Sequence, residues 1–309
     1  MHSISYAYLE TTNYCNLDCV FCNRRDVVTK QNLKHMSLDE WQVVLDKLRP
    51  HPISEAKLMG LGEPFFHPHF DQITHMFKSN FPKAHVISAT NLQYNPGAIF
   101  FNSLPNIDLL YLSIDGSFES YEAARPGSSW ERLINSLKTI DTTISDLSQK
   151  PSTRFEINFV ATPDTIDSFP DVLELKNKYR FIDGIRINIA QWWTEGEEIS
   201  LSYDDDFINK LLPYREYIRG KKDWDFKDCF WPRNGIYMTV SGDLKVCCMN
   251  TSAQSIGNIF KQTLESIYQS NAFSELLNQI SANSQSIKHC KGCSYKSLVP
   301  VLQQLEVCS

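Results

Sequence analysis

The chain has 309 residues, 42% hydrophobic and 21% charged, a globular composition long enough for one barrel domain or two unequal domains. Its net charge is −6 and it has no lysine/arginine block, which excludes an electrostatic footprint for nucleic acid. No apolar run approaches the roughly 20 residues that span a bilayer, and the start MHSISYAYLETTNYC has no secretory-signal pattern, so the reading is a cytoplasmic protein without a membrane partner.

The first two thirds alternate strand and helix signals. Short apolar or β-branched runs bounded by Asn, Gly, Asp or Pro predict strands at Ser5–Thr12, Glu55–Gly60, His85–Thr90, Leu109–Ile114, Phe155–Ala161 and Ile185–Ala190. Helical patterns lie between them at Ser37–Leu48, Phe70–Ser79, Ser129–Ile140, Phe169–Tyr179 and Asp204–Arg219. Ser37 and Glu40 read as a capping box. Six successive βα units predict an α/β fold with a parallel sheet and right-handed crossovers. Six falls short of the eight of a closed barrel, so the expectation is a partial (β/α)6 TIM-like barrel over residues 1–220.

After Gly220 the pattern changes. GIYMTVSGDLKVCC predicts a β-hairpin with arms Ile236–Val240 and Leu244–Val246 and a turn at Ser241-Gly242-Asp243. Helical patterns follow at Thr263–Gln269 and Ala272–Ser281. Residues 221–309 therefore read as a small C-terminal hairpin and helix domain.

The chain holds 9 cysteines. In a reducing compartment they point to metal ligation or catalysis rather than to disulfides. Cys15, Cys19 and Cys22 fall in TTNYCNLDCVFCNRR, directly after the first strand, where a βα barrel places its chemistry. A four-iron cluster takes one thiolate per iron, so three cysteines leave one iron open for a ligand, as in catalytic metal sites generally. The alternatives are a structural zinc site borrowing a distant fourth ligand, or chance spacing.

CNLDCVFC resembles the C-x3-C-x-aromatic-C motif of the radical S-adenosylmethionine (radical SAM) superfamily. Gly60-Leu61-Gly62-Glu63-Pro64 after the second strand resembles the family's GGEP segment, and Ala89-Thr90-Asn91 after the third resembles its TN segment. Ser113-Ile114-Asp115-Gly116 followed by Arg125-Pro126-Gly127 resembles the S-x-D-G and R-x-G stretch of one branch.

The resemblance implies that the open iron of a [4Fe-4S] cluster chelates the methionine part of S-adenosylmethionine. One electron then cleaves the sulfonium, and a 5′-deoxyadenosyl radical abstracts a substrate hydrogen. It further implies that Gly62 and Glu63 meet the methionine amino group through their backbone and that Phe21 lies near the adenine. Asn91 belongs to the cofactor-binding segments. Ser113, Asp115 and Asn158 become candidates for the ribose hydroxyls, and Arg125 for the cofactor carboxylate. Phe21 as core, Asp115 as a turn residue and Arg125 as a surface cation are the structural alternatives.

A second cysteine set lies in the C-terminal part: Cys229, Cys247, Cys248, Cys290 and Cys293. With its G-D-x-x-x-C turn, GNIF at 257–260 and closing C-x2-C, this part resembles the SPASM/twitch extension of radical SAM enzymes. That implies a second, auxiliary [4Fe-4S] cluster on Cys229, Cys247, Cys290 and Cys293. A tetrahedral zinc site on the same thiolates fits the ligand count equally. Adjacent strand residues point to opposite faces, so Cys247 and Cys248 do not both reach one cluster. Cys248 is a hydrogen-atom donor, a small buried hydrophobe, or the true ligand in place of Cys247.

The leading expectation for the reaction is a dehydrogenase that oxidises an alcohol or amine carbon of a sugar-like or aminocyclitol-like small molecule, with the auxiliary cluster as electron acceptor. An epimerase using Cys248, a ribosomal-peptide maturase and a non-catalytic iron–sulfur or zinc module are the alternatives. The short stretch ahead of the first strand weighs against a leader-recognition module. Trp192 and Trp193, after the sixth strand, are candidates for substrate stacking or for packing between the domains. His67 and His69 are candidate proton acceptors. A reducing partner such as flavodoxin or ferredoxin is expected.

Overall fold

The computed structural model describes residues 3–191, 203–220, 229, 231–247, 255–283, 290, 293 and 295–306. Six strands follow one another in space as in sequence: β1 (Tyr6–Leu9), β2 (Glu55–Lys57), β3 (His85–Thr90), β4 (Leu109–Ser113), β5 (Arg154–Ala161) and β6 (Gly184–Ile189). All neighbouring pairs are parallel. Helices cover one face, as βα crossovers require. The sheet does not close, and the expected partial α/β barrel is what the chain forms.

Alternation along the strands sorts the two faces. Leu110, Leu112, Ile157, Phe159, Ile185 and Ile187 are fully or nearly buried in the core beneath the helices. Their neighbours Tyr111, Ser113, Asn158, Arg186 and Asn188 are only half-buried and form the polar, concave face. The helix Leu38–Leu48 carries the expected capping box. Ser37 Oγ accepts from the Glu40 amide at 3.1 Å, and Glu40 accepts from the Ser37 amide at 2.9 Å. Trp41 is fully buried, and its indole donates to the Ile73 carbonyl at 3.1 Å.

Two elements differ from expectation. The single helix expected over Asp204–Arg219 stops at Leu211 and continues as a 3-10 segment, Leu212–Tyr217. Pro213 has no amide to donate, so the α ladder cannot pass it. The hairpin, β7 (Gly235–Met238) and β8 (Asp243–Lys245), forms as expected but does not stand apart from the barrel. β7 pairs in parallel with β1, aligning Tyr8 with Tyr237, and β8 then pairs with the short β9 (Gly257–Asn258). One nine-stranded sheet thus runs from the barrel into the C-terminal part. Gly242 sits in the hairpin turn at φ +81, where a side chain would be strained. Among the described residues no helix is long and apolar enough to cross a membrane.

Candidate active site

The loop after β1 is held from two sides. Thr12 bridges to His35, Oγ1 to Nδ1 at 2.8 Å, and Asn13 donates to the Asn32 carbonyl and accepts from the Lys34 amide at 2.7 Å. On the other side the Asp18 and Val20 amides donate to the carbonyls of Pro126 and Ala124, each at 3.0 Å. The Arg125-Pro126-Gly127 stretch thus docks the cysteine loop. A backbone bond from Cys22 to Cys19, 3.0 Å, closes the turn between those two thiols. Cys15, Cys19 and Cys22 line one cavity of about 370 Å³ at the C-terminal ends of the strands. Burial pushes the Cys15 thiol up to about 11 and raises Cys19 and Cys22 as well.

Gly62 also lines this cavity, and it packs against the cysteine loop. A Cβ there would lie 2.7 Å from the Tyr14 carbonyl oxygen and closer still to that of Thr12. The Glu63 amide donates to the Tyr14 carbonyl at 2.7 Å. Its carboxylate, 3% exposed, accepts from the Asn91 amide at 2.7 Å and from Phe65 at 3.3 Å. Glu63 therefore ties the segments after β2 and β3 together with its side chain, and burial pushes it up to about 7. Asn91 donates to Asn16 at 2.9 Å, and its amide nitrogen lies 3.8 Å from Cys15 Sγ.

Phe21, Ser113, Asn158 and Arg125 line the same cavity. Arg125 is 6% exposed, so it is no surface cation. Its Nε donates to Asp115 at 2.5 Å, with Nη2 on the same oxygen, and its Nη1 lies 3.6 Å from Cys19 Sγ. The guanidinium also sits 5.5 Å from the Phe21 ring centroid. Burial opposes its charge, but the Asp115 carboxylate holds Arg125 above its ordinary value. Asp115 itself is fully buried and takes the Val160 amide at 2.7 Å. It is not among the residues that line the cavity, and it braces Arg125. His67 is committed too: Nε2 meets the Met36 carbonyl at 2.7 Å and Nδ1 accepts from the His69 amide. Burial pushes His67 down to about 4, and both of its ring nitrogens are engaged. Cys248, Trp192 and Trp193 lie outside the described residues.

Three further residues carry no motif signal. Tyr8 and Tyr237 line the cavity from β1 and β7, their rings 5.4 Å apart edge to face. Glu10, 2% exposed, accepts from the Leu61 amide at 2.6 Å and the Val240 amide at 3.0 Å. It joins the segment after β2 to the hairpin. A carboxylate ending an apolar strand was the available clue. A second cavity of about 400 Å³ opens beside Val20, Ala161 and Ala190.

In the C-terminal part a backbone bond from Cys293 to Cys290, 3.1 Å, repeats the Cys22–Cys19 turn. Cys247 and Cys290 both pack on the hydrophobic core. Asn258, of the GNIF stretch, donates to the Ser241 carbonyl at 3.0 Å and to Asp243 at 2.9 Å, clamping the hairpin turn.

The donor set suits iron–sulfur clusters. Buried thiols that resist ionisation need a metal's positive charge to become thiolates. Among the described residues no three His, Cys, Asp or Glu side chains converge as ligands of one ion would, whereas a cube taking one thiolate per iron spreads them. Residues 9–146 match the family model of the radical SAM superfamily, and residues 229–294 match the SPASM iron–sulfur cluster-binding domain. The chain belongs to the radical SAM superfamily and carries a SPASM domain.

The cofactors of this family are a [4Fe-4S] cluster with S-adenosylmethionine and, in the SPASM domain, auxiliary iron–sulfur clusters. The chain is similar to the antilisterial bacteriocin subtilosin biosynthesis protein AlbA of Bacillus subtilis (strain 168), 23% identical over 278 residues. That alignment takes in 86% of the chain and 59% of the relative, so the chain spans well under two thirds of AlbA's length. The fold is similar to that of anSMEcpe with bound AdoMet and Cp18Cys peptide, at TM-score 0.67 and 15% identity over 98% of each chain. It is similar also to BtrN in complex with AdoMet and 2-DOIA, at TM-score 0.54 and 14% identity, covering 94% of this chain and 93% of the other.

Proposed function

We propose that the chain is a radical SAM oxidoreductase that removes a hydrogen from an alcohol or amine carbon of its substrate and completes a two-electron dehydrogenation. In this reading Cys15, Cys19 and Cys22 hold the cofactor-binding cluster, and Cys229, Cys247, Cys290 and Cys293 hold the auxiliary one. The cluster and S-adenosylmethionine together supply the hydrogen-abstracting radical. Residues 1–220 then serve as the cofactor-binding part and 221–309 as the auxiliary-cluster part.

The chain's own residues position the reactants. Arg125, braced by Asp115, offers its remaining donors to the cofactor carboxylate beside Cys19. Backbone carbonyls around Gly62 accept from the methionine amino group. Ser113 and Asn158, paired across β4 and β5, face the ribose. Phe21 and Arg125 close the cysteine side of the cavity and keep water from it.

The observation that carries the dehydrogenase reading is the pairing of β7 with β1. It sets Tyr237 in the wall of the cofactor cavity, on the hairpin whose second arm leads into Cys247. The hairpin thus connects the wall of the cofactor cavity to the cysteine segment of the C-terminal part, the connection that electron transfer to an auxiliary cluster requires. Anaerobic reconstitution, reduction with dithionite and addition of S-adenosylmethionine should release 5′-deoxyadenosine. Turnover in heavy water should leave no solvent deuterium at carbon in the product. Solvent deuterium at carbon, lost in Cys248→Ala, would replace dehydrogenation by epimerisation. A peptide substrate is the second reading, supported by the peptide held in the anSMEcpe structure.

A further inference from the structure

The concave face of the sheet continues below the cofactor cavity. Asn158 of β5 lines that cavity, and Arg186 of β6 is its register partner on the next strand. Arg186 Nη1 donates to the Tyr111 hydroxyl, and the guanidinium carbon lies 4.9 Å from the Tyr111 ring centroid. Its orientation is thereby fixed. Its Nη2 reaches Asn188 Oδ1 only at 3.4 Å, and its Nε is buried with no hydrogen-bond partner. Asn188 in turn donates to Asn158, which completes a chain from the guanidinium to the cavity wall.

Charge makes this arrangement unusual. Among the described residues no carboxylate comes within 4.0 Å of Arg186, whereas Lys57 of β2 has Glu55 at 3.9 Å. Glu156, on the adjacent strand and 8% exposed, makes no ion pair with Arg186. A permanent cation half-buried without an acid, its Nε–Nη2 edge filled by one long contact, lacks its natural partner. That edge is the one that takes two oxygens of a planar anion side by side.

We propose that Arg186 is a substrate-binding residue and that the substrate carries a carboxylate, seated on its Nε–Nη2 edge. The Asn188 contact yields to the carboxylate, and Asn188 and Asn158 carry the hydrogen-bond chain onward to the cavity. Neighbouring strands lie about 4.8 Å apart, so a carbon a few bonds from that carboxylate lies beside Asn158, the register partner of Arg186. The Nε–Nη2 edge of one guanidinium matches the two oxygens of a carboxylate. The assignment deepens the dehydrogenase reading and rests on it for the meaning of the cavity.

The test is calorimetric binding to the cluster-reconstituted full chain with S-adenosylmethionine present. The probes are acid and amide pairs from the two sources of a carboxylate: glucuronate against glucuronamide, and short peptides ending in Glu against the same peptides ending in Gln amide. At least one acid should bind more tightly than its amide. Arg186→Gln should weaken that acid about 30-fold or more, as expected for a truncated buried charge pair, with Arg186→Lys restoring part of the loss. Which pair discriminates tells a small acid from a peptide.

The proposal is overturned if no acid outbinds its amide, or if Arg186→Gln binds the acid as well as the native chain does. A comparable loss of S-adenosylmethionine affinity in Arg186→Gln would reassign the residue to the cofactor and also overturn it. Should Arg186→Gln not fold, Tyr111→Phe, which frees the guanidinium from its hydroxyl, must loosen acid binding or the idea fails. Arginine-dependent acid binding without any 5′-deoxyadenosine release would leave this site standing and sink the dehydrogenase reading.

Discussion

Arg125 rests on Asp115 through Nε and Nη2 while its Nη1 faces the Cys19 thiol at 3.6 Å, so one buried carboxylate aims a cation at a thiol proposed to hold the cluster. Asp115→Asn keeps an acceptor for the Val160 amide but removes the charge that balances the guanidinium. Breaking one side of a buried pair typically costs about 3–5 kcal/mol. The variant should unfold at markedly lower denaturant. Arg125→Lys keeps the charge and loses the fork. It should lower 5′-deoxyadenosine formation by about 100-fold, the scale of a 1 Å misplacement. Native-like unfolding of Asp115→Asn would show that the pair does not hold the loop.

Gly62→Ala tests the close approach of the segment after β2 to the cysteine loop. The new methyl meets the Thr12 and Tyr14 carbonyls, backbone atoms that cannot swing aside as a side chain can. Overpacking of this kind costs about 1–3 kcal/mol, and the loop bearing Cys15 is what must shift. Iron content after anaerobic reconstitution should fall while the auxiliary cluster remains. A variant with full iron would mean the loop has slack that the packing does not show.

That these residues gather round one cavity was legible because they are bound by local spacing. Cys15, Cys19 and Cys22 must share one loop, and Gly62, Asn91 and Ser113 each stand at or just after a strand end, where a βα fold gathers them. Side-chain partnership was not legible. Nothing in S-I-D-G says that Asp115 turns away from the cavity onto Arg125, because that choice is made by burial and by the Val160 amide 45 positions on. The pairing of β7 with β1 was equally hidden. A hairpin reads the same whether it stands alone or extends a barrel sheet, and the contact joins residues more than 200 positions apart. Arg186 carried no motif and emerged only from its missing partner.

His67 gives a pH dependence with a definite sign. Burial pushes it down to about 4 from an ordinary value of 6.5, so the fold binds its proton less readily than the unfolded chain does. Stability from this group is complete above about pH 6.5 and is lost as pH falls toward 4. Over that window the loss approaches about 3 kcal/mol. Melting curves of the native chain and His67→Gln should converge as pH drops from 7 to 4, the variant being less stable only at the upper end. Parallel curves would mean the ring titrates alike folded and unfolded.

Glu10 adds a side-chain link between the barrel and the hairpin, one carboxylate accepting from Leu61 after β2 and from Val240. Glu10→Gln leaves one acceptor and turns the other oxygen into a donor facing an amide. An unsatisfied buried pair costs about 1–3 kcal/mol, a loss that alone would say only that the fold is weakened. A second readout separates position from stability. In Cys15→Ala/Cys19→Ala/Cys22→Ala the chain should retain about half its iron, all of it auxiliary, and the paramagnetic resonance of that cluster can be recorded by itself. Adding Glu10→Gln should change this signal, because the hairpin leading to Cys247 loses its tether to the barrel loop. If the signal does not move, the β1–β7 ladder alone fixes the hairpin, and Glu10 serves the loop after β2 only.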